Sequence, residues 1–206
     1  MRLRLGKSTS ILLAICSLWL YLTAAYGEPR YPSGLIRDGG FVQIHCFDED
    51  KAPVVQQVLR DYFDVLDDSM SSKRQRLYSI YVSRSSIKYG VDPFILASVM
   101  IQRSGLSWVL AEGGYYGLMA IDWEKNKRWI TEDHPRVQSR RVLCKPVINV
   151  RIGADLMSRN LKRSGMNYDV MIRNEYDDFP GAYEVIWEHY RNMARLFRER
   201  IEDDRF

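Results

Sequence analysis

Apolar residues recur along this chain mostly at the three-to-four-residue spacing of helices rather than with the alternation of strands. Val54, Val55, Val58, Leu59, Tyr62, Phe63 and Leu66 share one helical face. With Asp48 to Asp50 as caps and Pro53 near the first turn, they predict a helix over about residues 52 to 69. Leu77, Ile80, Tyr81 and Ile87 predict a second over about residues 72 to 89, stopped by Gly90. A third opens at Asp92-Pro93 and carries Leu96, Val99, Met100 and Arg103 at i, i+3, i+4 and i+7. That register puts Arg103 on the core side, in the last turn before Gly105.

Further along, Ile152, Leu156 and Leu161 mark an amphipathic helix over about residues 149 to 163. A final helix over about residues 181 to 201 buries Val185, Ile186 or Trp187, Tyr190, Ala194 and Phe197. Gly113 and Gly114 are turn positions, and Tyr115 to Ile121 reads as a short irregular element. The stretch from Asp122 to Pro146 is polar and punctuated by prolines, although Trp123, Trp129, Val137 and Val142 mark it as packed. Only Phe41 to Cys46 alternates, weakly, as a short strand would. The pattern predicts a mainly α chain with one core and no internal repeat.

The first residues add a compartment. Arg2, Arg4 and Lys7 precede an apolar run from Ile11 to Ala25, too short for a comfortable transmembrane helix, and Ala25-Tyr26-Gly27 offers small residues where a signal peptidase reads. The expected division is a signal peptide over 1–27, a proline- and glycine-rich extension over 28–50 and a helical domain over 51–206. An uncleaved leader acting as a membrane anchor, or Cys16 as a lipoprotein cysteine, are the alternatives. Export across the inner membrane to the periplasm is the expected localisation.

Removing the leader takes away three of the 30 basic residues, which leaves 27 against 26 acidic ones. With both signs interspersed, this charge gives no case for nucleic acid. Cys46 and Cys144 remain, and in an oxidising compartment they are candidates for one disulfide, with two buried free thiols as the alternative. His45, His134 and His189 lie far apart without ligand spacing, so no metal is expected, and no cofactor either.

Four segments together resemble a known family. The string from Ile87 to Gly105, with Tyr89-Gly90-Val91-Asp92-Pro93 at its start and Gln102-Arg103-Ser104-Gly105 at its end, is similar to the opening motif of the soluble lytic transglycosylases. There the helix ends in Glu-Ser-Gly. Gly114-Tyr115-Tyr116-Gly117-Leu118-Met119-Ala120-Ile121 resembles the family's Gly-Ala-Tyr-Gly-Leu-Met-Gln-Ile block. Asn149 to Ala154 resembles its Asn-Ile-x-x-Gly helix start, and Tyr176 to Ala182 a worn Tyr-Asn-Ala-Gly-Pro-Gly-Ala. The likeness is strongest over 76–200 and implies a lysozyme-like helical domain.

The departures from the family pattern decide what the resemblance implies for activity. Arg103 stands where the family has the glutamate that protonates the glycosidic oxygen and then acts as base while an anhydro ring closes. An acid at a helix C-terminus among apolar side chains keeps its proton to higher pH and can donate it near neutrality. Arginine stays protonated at any accessible pH, and its charge opposes an oxocarbenium-like transition state. Ala120 replaces the glutamine of the cleft block and Asp177 the asparagine of the Tyr-Asn motif, while Tyr116, Met119 and Tyr176 keep cleft-type identities.

Arg103, Tyr116, Met119, Ala120, Tyr176 and Asp177 are therefore the candidate cleft residues, with Arg103 and Asp177 a candidate ion pair. The implied function is a degenerate, non-catalytic envelope protein that binds peptidoglycan glycan strands or joins protein subunits of an envelope-spanning assembly such as a secretion system. The other expectation is a working glycan-cleaving enzyme whose acid has moved, with Glu112, Asp122, Glu124 or Asp177 in reach. Trp108, Trp123 and Trp129 read as packing groups rather than a sugar platform.

Overall fold

A computed structural model describes residues 49–109, 111–177 and 180–203, with the backbone alone at Glu112 and Asp203. The expected leader, the strand at 41–46 and Cys46 lie outside the described residues. Eight α-helices and a small sheet follow in order: α1 (Ala52–Leu66), α2 (Ser72–Tyr89), α3 (Pro93–Ser104), β1 (Ala111–Glu112), β2 (Tyr115–Tyr116), β3 (Ile121–Asp122), α4 (Trp123–Asp133), α5 (Arg140–Leu143), α6 (Pro146–Arg163), α7 (Tyr168–Glu175) and α8 (Ala182–Asp203). The chain is mainly helical, as its periodicity predicts. No helix among the described residues is long and apolar enough to cross a membrane.

Helix α3 forms the centre. Every residue from Pro93 to Ile101 is buried, so the apolar stripe of the sequence widens into a helix enclosed on all sides. Its start is fixed by Asp92, whose carboxylate accepts from the Phe94 N–H at 2.8 Å and the Ile95 N–H at 3.1 Å. Its end is fixed by Gly105, which takes a left-handed conformation that side chains disfavour. Helix α8 lies along it, with Phe94 and Phe197 meeting edge to face at 5.5 Å.

Helix α2 corrects the sequence reading of its own face. Tyr78, Ser79, Val82, Ser83, Ser85 and Ser86 are buried, while Leu77, Ile80, Tyr81 and Ile87 are only partly so. The reason is crowding: α2 packs against both α1 and α6, and serines leave room for those helices to approach. Leu77 and Ile80 instead line a shallow groove with Ser72, Lys73 and Arg76. Helix α8 buries Ile186, Trp187, Tyr190, Ala194 and Phe197 as its spacing predicts, adds Met193, and departs only at Val185, which is 39% exposed.

The polar stretch after residue 122 is the largest gain over the sequence. It holds α4, with Trp123, Asn126 and Ile130 buried, and the single turn α5. Between α6 and Tyr176 the sequence pattern predicts no element, yet α7 forms there, with Tyr168, Met171 and Ile172 as its buried face. The sheet is antiparallel in the order β1-β2-β3, pairing Glu112 with Tyr115 and Tyr116 with Ile121. It sits just past the C-terminal end of α3.

Candidate functional site

The end of α3, the sheet, the start of α4 and one face of α6 enclose a cavity of about 190 Å³. Arg103 enters it from the last turn of α3. Its guanidinium stands over two rings, 5.5 Å from the centroid of Tyr115 and 5.6 Å from that of Tyr176. Each such contact is a cation–π attraction worth about 0.5–1 kcal/mol at a partly exposed site. The two rings thus flank the guanidinium.

The opposite wall is the turn from Gly117 to Ala120, and α6 holds it in place. Asn149, fully buried on α6, donates from Nδ2 to the Tyr116 carbonyl at 2.8 Å and accepts at Oδ1 from the Met119 N–H at 2.6 Å. Gly117 is required for this grip: it takes φ +70°, and a Cβ there would fall 2.6 Å from Asn149 Cγ. Gly153, one turn further along α6, makes room for Met119, whose Cβ would otherwise be 2.8 Å from a new methyl. Spacing of Asn149 and Gly153 is thus a docking device for the turn. It explains both motifs without any ligand.

Ala120 closes the turn, its N–H donating to the Gly117 carbonyl at 2.9 Å. Its φ of 43° is left-handed, an uncommon state for a residue with a side chain. The floor is completed by Asn160 and Leu156 of α6, and the rim by Asp122 and Lys125 of α4, Arg163 of α6 and Glu175 of α7. Asp122 Oδ1 accepts from the Lys125 N–H at 3.0 Å and so caps α4. Arg163 donates to Asn160 Oδ1.

Of the residues expected from sequence, Arg103, Met119, Ala120 and Tyr176 line this cavity together. Tyr116 and Asp177 are not among its lining. The ring of Tyr116 lies under Arg140, 5.6 Å from its guanidinium, and Arg140 is in turn paired with Glu124. Tyr115 takes its place because neighbouring strand residues point to opposite faces. Asp177 Oδ1 accepts from the Tyr183 N–H at 3.3 Å at the start of α8, and no ion pair joins it to Arg103 among the described residues. Asp177 is a helix cap here.

The sequence does not single out Lys125, Arg163 and Glu175, which are polar residues away from the apolar stripes, nor Asn160, which is buried on α6 but silent in a hydrophobicity pattern. Glu112 is described only in its backbone, and Glu124 is taken up by Lys127 and Arg140. Cys144 carries a free thiol that burial pushes up in pKa, while Cys46 lies outside the described residues. No group of three or more His, Cys, Asp or Glu placed to hold a metal occurs among the described residues. Trp123 is packed and Trp129 bonds Asn126 at 2.9 Å, but Trp108 is 45% exposed. No protein-family profile, curated protein or solved structure matches the chain.

Proposed function

We propose that the chain carries a lysozyme-like domain of the lytic transglycosylase type, exported to the periplasm, whose cleft holds peptidoglycan without cleaving it. The observation that supports this is Arg103: at the end of the central helix, lining the cleft, it occupies the place of the family's proton donor and is clasped by Tyr115 and Tyr176. A guanidinium in that position neither gives nor takes a proton, and it repels a developing oxocarbenium charge. On this reading what is lost is proton transfer and what remains is a walled cleft.

Purified full-length protein incubated with sacculi tests the reading. The expected result is sedimentation with sacculi and no release of anhydromuropeptides, with Arg103→Glu run beside the wild type. Release by the wild type at the level of that variant overturns the non-catalytic reading. Failure to sediment overturns wall binding and favours an assembly role, which co-purification with an envelope complex would reveal.

One second reading has its own observation, since Asp122 and Glu175 both border the cavity and either carboxylate is a candidate relocated acid. Loss of any observed release in Asp122→Asn or Glu175→Gln would mark it.

A further inference from the structure

We infer that the cleft recognises a carboxylate of the peptide part of peptidoglycan rather than its sugar chain, an inference that rests on the wall-binding reading above. Three observations carry it. First, the size is wrong for a chain of sugars: about 190 Å³ lies below the roughly 300–1,000 Å³ of sites that enclose a whole small molecule, and suits an end group. Second, the aromatic surface is taken. Tyr115 and Tyr176, the rings that line the cavity, both turn towards the Arg103 guanidinium, where a sugar would need a ring face to stack upon.

Third, the polar groups that converge are donors of the kind that meet carboxylates. Arg103, Lys125 and Arg163 arrive from three different helices, with Asn160 between them, against the carboxylates of Asp122 and Glu175. Asp122 is engaged in capping α4 through Oδ1. Arginine carries five N–H donors in a fork that matches the two oxygens of a carboxylate. Glu175 on the rim opposes an anion in the cavity, so its neutralisation strengthens binding. This sign separates recognition of charge from mere support of the fold.

Calorimetric titration of the full chain tests the inference with five probes: a muropeptide, the same muropeptide with its carboxylates amidated, the free stem peptide, a peptide-free glycan oligosaccharide, and an unrelated peptide with a free C-terminal carboxylate. The expected result is similar binding of muropeptide and stem peptide, about tenfold or greater weakening on amidation, and no binding of the bare glycan. Lys125→Met weakens and Glu175→Gln tightens muropeptide binding; Lys125 is exposed, so its replacement leaves the fold in place. Binding of bare glycan with indifference to amidation overturns the inference and leaves wall binding standing. Equal binding of an unrelated peptide's C-terminal carboxylate, without sedimentation on sacculi, overturns wall binding and leaves carboxylate recognition standing. No response to any probe, with sedimentation retained, overturns the inference.

Discussion

The two ends of α3 carry the same kind of signal in the sequence and do opposite things in the structure. At its start, Asp92 is 6% exposed, caps the helix with its carboxylate and donates its own N–H to the Tyr168 hydroxyl at 2.7 Å. At its end, Arg103 is half-buried, reaches a cavity and is held by aromatic faces. One end is consumed by folding and the other lines a cavity. An inward-facing charged residue near a helix terminus is therefore no guide to function until its hydrogen-bond partners are known.

The sharpest way to break that comparison is through pH. Burial pushes the Asp92 carboxyl up to about 6 against an ordinary value of 3.8, so the folded state holds its proton where the unfolded chain has released it. Stability from this group is full below about pH 3.8 and is lost as pH rises through about 6. The loss over the whole window is about 3 kcal/mol. Asp92→Asn keeps a capping oxygen and has no proton to lose. Urea melts should therefore show the variant gaining about 3 kcal/mol on the wild type between about pH 3 and pH 7, and a flat difference would sink the idea.

The difference curve is needed because the wild type alone conceals the effect. His189, bonded to the Tyr62 hydroxyl at 2.8 Å between α1 and α8, is pushed by burial down to about 4 from 6.5. Its contribution is present above about pH 6.5 and lost as pH falls through about 4. The slope is opposite over nearly the same window.

A smaller effect is expected on the cleft side. Ala120 holds φ 43°, a state that glycine adopts without penalty, so Ala120→Gly should raise the unfolding free energy by about 1 kcal/mol in chemical denaturation. A loss of stability would mean that the methyl group packs better than its backbone suffers. Of similar size, Arg103→Gln should cost about 1 kcal/mol, the low end for its two cation–π contacts together, and a melt displaced far beyond that would show Arg103 to be a folding residue after all.

Sequence legibility follows the same division. Helices α1, α2, α3 and α6 could be read within a few residues because each has a cap, a stop or a proline at a definite place. Asp92-Pro93 and Gly105 bracket α3 at both ends. Faces were less legible than lengths. The serine stripe of α2 is silent to a hydrophobicity pattern, since Ser79 and Ser83 are buried for their size rather than their apolarity. Helix α4 was hidden because only Trp123, Asn126 and Ile130 are buried among eleven mostly charged residues.

In the cleft, Arg103, Met119, Ala120 and Tyr176 were reachable through motif resemblance, and Tyr115 was missed by a single position. Strand parity decides which of two adjacent tyrosines faces inward, and a strand of two residues gives the sequence no alternation to read. Lys125, Arg163 and Glu175 come together only through the packing of α4, α6 and α7. No local signal announces them.

One feature of the turn at 117 to 120 has a bearing on how such a cleft changes over time. Asn149 grips it through main-chain atoms of Tyr116 and Met119, so the side chain carried at position 120 plays no part in where the turn sits. The frame is anchored independently of the surface it displays. Replacements of the side chains at positions 103, 115, 120 and 176 leave both Asn149 hydrogen bonds in place.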